Sequence, residues 1–332
     1  MWRLSLLSWL LIASCFAAPQ LSSSRTNNTT VPTETEASLS TTVTPSNTTR
    51  PPLRRDSCGR RNLQGLDASP APDGAANRAK YGEFPWMVAV CSMEEAKTDE
   101  VHTVYMCGGA LIHPRAVLTA AHRVVGKNIN KLKIITGDWD ASNLRENLSH
   151  QEQNVAKVII HEQFNPGSLA NDFALLILAH PLNLTEAVDV VCLPKSEDRF
   201  DFTRCLATGW GKDVYGGQYQ KKLKKIELPV IPHSDCQTAL RTRLSPNFVL
   251  NPSFICAGGE AGRDTCTGDG GSPLVCPLKN HTNRYAQAGI VAWGVECARS
   301  AVPAVYANVA SVRSWIDAKM EANRLETFVY SY

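Results

Sequence analysis

The run Asp264-Thr-Cys-Thr-Gly-Asp-Gly-Gly-Ser-Pro-Leu-Val-Cys276 sets Gly268, Gly270, Gly271 and Pro273 between cysteines. Glycine and proline at this density punctuate a chain with turns. Outward from it, short apolar runs recur: Trp86–Val90, Val104–Ile112, Ala116–Ala120, Leu132–Ile135, Ala174–Leu178, Ile226–Ile231, Ala288–Trp293 and Val305–Ala307. Gly, Pro, Asn and Asp separate them, and many short strands with such punctuation predict an all-β barrel or sandwich. Only the end reads as helix. Val309, Val312, Ile316 and Met320 recur at helical spacing, with Trp315 at the edge of their stripe.

At 332 residues the chain can hold one large domain with appendages. Arg3, the apolar run from Leu4 to Phe16 and the small residues Ala17 and Ala18 have the layout of a secretory signal peptide, residues 1–17. No other stretch is apolar and long enough to span a bilayer, so a secreted, extracellular protein is expected. Residues 18–57 read as a disordered stalk, because 16 Ser or Thr fall among residues 21–56. Such a segment cannot bury enough apolar surface to offset the entropy of ordering it. Glycosylation sequons stand at Asn27, Asn28, Asn47, Asn147, Asn183 and Asn280. Arg54-Arg55 and Arg60-Arg61 flank Cys58 and read either as proprotein cleavage sites or as a solvated linker.

Cleavage after Ala17 removes Cys15 and leaves an even number of cysteines, for which disulfides are expected in an oxidising compartment. Neither C-x-x-C nor H-x-x-x-H occurs, so no metal or other cofactor is expected. A net charge of +3 without aromatic–basic interleaving argues against nucleic acid as a partner. Lys221-Lys222-Leu-Lys224-Lys225 reads as a solvated loop or as a site for an acidic or sulfated partner, with Lys127, Lys131 and Lys133 able to enlarge it.

Six segments, in order, resemble the trypsin/chymotrypsin family. They are Cys107-Gly-Gly-Ala-Leu-Ile with Leu118-Thr-Ala-Ala-His122, Asn171-Asp172-Phe-Ala-Leu-Leu, Cys205-Leu-Ala-Thr-Gly-Trp-Gly211, Ile255-Cys-Ala-Gly-Gly259, the loop at Cys266, and Ala292-Trp-Gly294. The resemblance implies two six-stranded antiparallel β-barrels with a C-terminal helix over residues 58–323, followed by a tail at 324–332. It also implies a triad of His122, Asp172 and the residue at 270. The family's G-D-S-G-G-P-L reads Gly268-Asp269-Gly270-Gly271-Ser272-Pro273-Leu274 here, so the nucleophile position holds glycine. Together with Glu83-Phe-Pro-Trp-Met-Val, this looks most like arthropod masquerade-type homologues and prophenoloxidase-activating cofactors, without the clip domain many of them carry.

Further expectations follow from the resemblance. Asp264, Gly294 and Ala304 are remnants of a substrate pocket, in which Asp264 is either a relic or still holds a basic side chain. Ala292 replaces the serine that hydrogen-bonds the triad aspartate. Activated relatives pair the position of Asp269 with a new amino terminus from an Ile-Val-Gly-Gly-like sequence, which is absent between Cys58 and Trp86, so Asp269 must find other donors, face water or sit in a rearranged loop. The implied disulfides are Cys58–Cys192, Cys205–Cys276, Cys236–Cys256 and Cys266–Cys297. Arg123 stands where the family has the partner of Cys107, and Cys91 on the preceding strand is the substitute expected to pair with Cys107.

The function implied is a secreted, non-catalytic regulator of an extracellular protease cascade, in innate immunity or prophenoloxidase activation. Its partners would be extracellular proteases, zymogens or prophenoloxidase-like proteins. The alternatives are a non-catalytic role in reproduction or adhesion, and a weak endopeptidase that uses Ser272 as a relocated nucleophile.

Overall fold

A computed structural model describes residues 57–66, 77–95, 101–140, 150–212, 217–262, 264–265, 268–295 and 301–332. The signal peptide, the stalk up to residue 56, Arg54-Arg55, Asn27, Asn28, Asn47, Asn147, Cys266 and Cys297 lie outside the described residues. Six strands form the first barrel: β1 (Met87–Glu95), β2 (Val101–His113), β3 (Ala116–Thr119), β4 (Leu132–Thr136), β5 (Gln151–Ile160) and β6 (Ala174–Leu178). Six more form the second: β7 (Arg204–Gly209), β8 (Lys224–Ile231), β9 (Phe254–Gly258), β10 (Pro273–Pro277), β11 (Tyr285–Trp293) and β12 (Pro303–Asn308). Both close, in the orders β1-β2-β3-β6-β5-β4 and β10-β11-β12-β9-β8-β7, with antiparallel pairing throughout.

Side-chain alternation explains why a strand such as β6 reads as an unbroken apolar run. In β6, Ala174, Leu176 and Leu178 fill the first barrel, while Leu175 and Ile177 point to the core shared with the other barrel. In β10, Leu274 and Cys276 line the second barrel and Val275 faces that shared core. A strand buried on both faces needs apolar residues at every position. β5 shows the opposite case. Only Val155 is buried along it, and its four polar leading residues, with Lys157 interrupting the rest, hide it from a search for apolar runs.

The final helix, α3 (Arg313–Ala322), follows a 3-10 turn at Val309–Val312 and buries the predicted stripe of Val309, Val312, Ile316 and Met320. Two shorter helices, α1 (Ala121–Val124) and α2 (His233–Arg241), were not expected from periodicity. α2 buries only Cys236 and Leu240, too few residues to register as a stripe, and the Cys236–Cys256 disulfide ties it to β9. Disulfides also join Cys58 to Cys192 and Cys205 to Cys276.

Two expectations are corrected by the coordinates. Cys91 and Cys107 are buried free thiols, not a disulfide. The register slips between Val90 and Cys91, so Cys107 faces Val90 and Cys91 faces Tyr105. Cys107 Sγ lies 3.8 Å from Thr119 Oγ1 instead. Residues 324–332 are not a tail, because Leu325, Val329 and Tyr330 are buried. A 3-10 turn at Thr327–Tyr330 docks there, with the Leu193 amide donating to the Tyr330 carbonyl at 2.9 Å. The Tyr330 hydroxyl donates to Asp317 at 2.7 Å. The folded domain therefore runs to Tyr332.

Candidate functional site

β3 and β6 pair with Thr119 opposite Ala174. The residues just past that pair, His122 on α1 and Asp172 ahead of β6, therefore emerge together. His122 Nδ1 lies 2.6 Å from Asp172 Oδ2, and the His122 amide donates to Asp172 Oδ1 at 2.8 Å. Asp172 is fully buried, so both carboxylate oxygens are occupied by one residue and the imidazole has its orientation fixed. This is the arrangement in which an aspartate holds a histidine's tautomer.

The turn before β10 brings position 270 to the other ring nitrogen. An ideal Cβ on Gly270 would lie 3.3 Å from His122 Nε2 and 3.4 Å from Arg123 Cδ. The turn is held from both barrels. Gly270 carbonyl accepts from the Gly108 amide at 3.1 Å, Gly271 amide donates to Val291 carbonyl at 2.9 Å, and Tyr105 hydroxyl donates to Gly268 carbonyl at 3.0 Å. Gly271 has φ +83°, and a Cβ there would meet Thr119 Oγ1 at 2.4 Å, so that position requires glycine. Ser272 is turned the other way. Its Oγ is buried without a hydrogen-bond partner, against Gly108, where an added Cβ would come within 1.9 Å.

Two residues of the expected pocket, Gly294 and Ala304, come together. Ala304 is buried on β12, and a Cβ on Gly294 would stand 4.0 Å from the Ala304 methyl. Asp264 is half-buried and lies close enough to the Tyr306 hydroxyl to contribute, after burial itself, to raising that group's pKa. Ala292 is buried and offers Asp172 no hydroxyl.

The lysine run is neither a solvated loop nor an open basic surface. Lys225 Nζ lies 2.9 Å from both oxygens of fully buried Glu83, which Arg61 Nε also reaches at 3.1 Å. Lys224 Nζ lies 3.2 Å from Asp269, which is 2 % exposed. Lys222 Nζ is 3.5 Å from buried Asp140 and 4.5 Å from the centre of the Trp139 ring. Three of the run's four cations thus neutralise buried carboxylates, a role that a run of like charges does not announce in sequence. Lys133 meets Glu152 at 2.8 Å. Arg61 is built into the fold beneath Tyr285 and Phe84, whereas Arg60 is exposed. Asn183 and Asn280 are both exposed.

Two closed six-stranded barrels with an oriented His–Asp pair between them define a protein of the trypsin-like class. The chain belongs to the trypsin family, which it matches over residues 75–316. It is 46% identical over 287 residues to phenoloxidase-activating factor 2 of Galleria mellonella, covering 84% of this chain and 94% of that protein. Inactive CLIP domain-containing serine protease A3 of Aedes aegypti is 45% identical over 256 residues, 75% of this chain and 51% of its own length. Inactive CLIP domain-containing serine protease A8 of Anopheles gambiae is 41% identical over 268 residues, 80% of this chain and 71% of its own. Relatives named as inactive thus stand beside one named as an activating factor. No helix among the described residues is long and apolar enough to cross a membrane.

Proposed function

We propose that this chain is a secreted, non-catalytic serine protease homologue that promotes an extracellular immune cascade of the phenoloxidase-activating kind. It does so by binding a protease, zymogen or prophenoloxidase-like partner at the former substrate cleft. The observation that carries this reading is the vacancy at position 270. The base is oriented by Asp172 and its Nε2 lies 3.3 Å from where a side chain would begin, but glycine supplies no oxygen to deprotonate. Losing such a nucleophile lowers turnover by about a millionfold in a comparable triad. Ser272 does not stand in for it, since a nucleophile must lie within hydrogen-bond reach of its base and Ser272 Oγ has no such partner. The relative named phenoloxidase-activating factor 2 supports the cascade assignment.

The same reading includes secretion through the leader at 1–17, glycans on exposed Asn183 and Asn280, and a cleft that the Ala304 methyl narrows against basic side chains. The test combines purified chain with prophenoloxidase and its activating protease. Expected is higher phenoloxidase output with the chain than without it, and no labelling of the chain by a serine-directed fluorophosphonate. Peptide hydrolysis that disappears in His122→Ala would favour the endopeptidase alternative instead. Unchanged phenoloxidase output would remove the cascade role.

A further inference from the structure

The carboxylate of Asp269 occupies a fitted cradle in the second barrel. Its Oδ1 accepts from the Gly211 amide at 2.8 Å, and its Oδ2 faces Lys224 Nζ at 3.2 Å. Glycines make the space. An added Cβ would meet Oδ1 at 2.2 Å from Gly209 and at 2.5 Å from Gly211. Lys224 is equally fixed, because its ammonium also donates to the Lys212 carbonyl at 2.7 Å. Its backbone is held on both sides, by β7 at Gly209 and by a bridge to Arg78. Around that bridge, the Ala79 amide donates to Leu223 and the Lys225 amide to Asn77, each at 2.9 Å.

Asp269 is also the first residue of the turn that sets Gly270 against His122. Its carbonyl accepts from the Ser272 amide at 2.9 Å. A buried carboxylate deprived of its counter-charge pulls toward water, and here it would take this turn with it. The counter-charge comes from a side chain already in place on β8, with no need for a chain end created by cleavage.

We propose that Lys224 is a built-in lock on the Gly268–Ser272 turn, holding the cleft beside His122 in its formed state in the uncut chain. The consequence for regulation rests on the cleft-binding function proposed above: a partner would find its site ready-made, and control would lie in supply of the chain or the partner and not in cutting this domain.

The test is hydrogen exchange on the intact secreted chain, read by mass spectrometry. Amides at Gly211 and residues 268–272 should be protected before any cleavage. Lys224→Met should speed their exchange at least tenfold while β3 and β6 keep their protection, and Lys224→Arg should keep the turn protected. Unchanged exchange in Lys224→Met, or protection that appears only after cleavage upstream of residue 77, overturns the lock. A second measurement needs no variant. Under limiting acetic anhydride, exposed Lys221 should be acetylated at least tenfold faster than Lys224, and equal rates overturn the proposal. Neither readout depends on a partner, so a failed phenoloxidase assay with a protected turn would count against the cascade role and leave the lock standing.

Discussion

Lys225 Nζ sits 2.9 Å from both carboxylate oxygens of Glu83, a residue with no exposure to water. Glu83 further accepts from the Lys80 amide at 2.7 Å and from Arg61, so one carboxylate joins the segment before β1 to β8 of the other barrel. Removing one member of a buried, hydrogen-bonded pair costs about 3–5 kcal/mol. With Arg61 still in place, Lys225→Met is expected near the lower end of that range in chemical denaturation. Adding Glu83→Gln should recover part of the loss. A Lys225→Met variant within about 0.5 kcal/mol of the parent, the usual span of surface substitutions, would show that the pair is not a structural tie.

Position 270 is vacant but not closed. Gly270 lies outside the left-handed region that Gly268 and Gly271 occupy, so an L side chain fits its backbone. The nearest obstacles to a Cβ are the His122 ring and the flexible stem of Arg123, at 3.3–3.6 Å. Gly270→Ser is therefore expected to fold and to acquire stoichiometric fluorophosphonate labelling that His122→Ala abolishes. Absence of label in a folded Gly270→Ser protein would mean that the dyad or the turn is out of catalytic geometry.

The two free thiols should be silent in the native protein. Burial pushes Cys91 up to about 12, with Cys107 close by adding to the shift, and burial likewise raises Cys107. Only the thiolate reacts appreciably. Iodoacetamide at pH 8 is expected to spare both residues in the folded chain and to modify both once the chain is unfolded without reductant. Peptide mapping that finds Cys91 and Cys107 joined would refute their free state.

Asp189 gives the fold a specific pH response. Burial raises its pKa from an ordinary 3.8 to about 6, against the lowering effects of the Val190 amide and Arg60. The fold thus favours the protonated acid. The resulting stabilisation is complete below about pH 4 and is lost as pH climbs through about 6, by up to about 3 kcal/mol. Asp189→Asn should flatten the dependence of Tm on pH between 4 and 6 and raise Tm at pH 7. A pH profile identical to the parent's would mean that Asp189 ionises freely in the fold.

Much of the fold was legible in residues whose environment is uniform. Strands buried on both faces, such as β6, are continuous apolar runs, and the α3 stripe is a clean helical period. Strand β5 and helix α2 were not legible as apolar patterns, because one buries a single residue and the other buries two side chains. The Cys91–Cys107 expectation failed on register. Strands β1 and β2 do pair, but Cys107 stands opposite Val90 and Cys91 opposite Tyr105, an alignment that strand adjacency alone does not fix.

The sequence by itself determined the protein's class, since the family's segments around His122, Asp172 and Gly270 need no geometry to be read. Exposed Asn183 and Asn280 were likewise visible as sequons, though not their exposure. Only the tertiary structure decided how the charges are used. Lys222, Lys224 and Lys225 look alike in a row, yet each ends on a different buried carboxylate: Asp140, Asp269 or Glu83. Those acids lie up to 142 residues away along the chain. Ion pairing depends on distance and desolvation in space, and the closure of the barrels, not proximity in sequence, sets both.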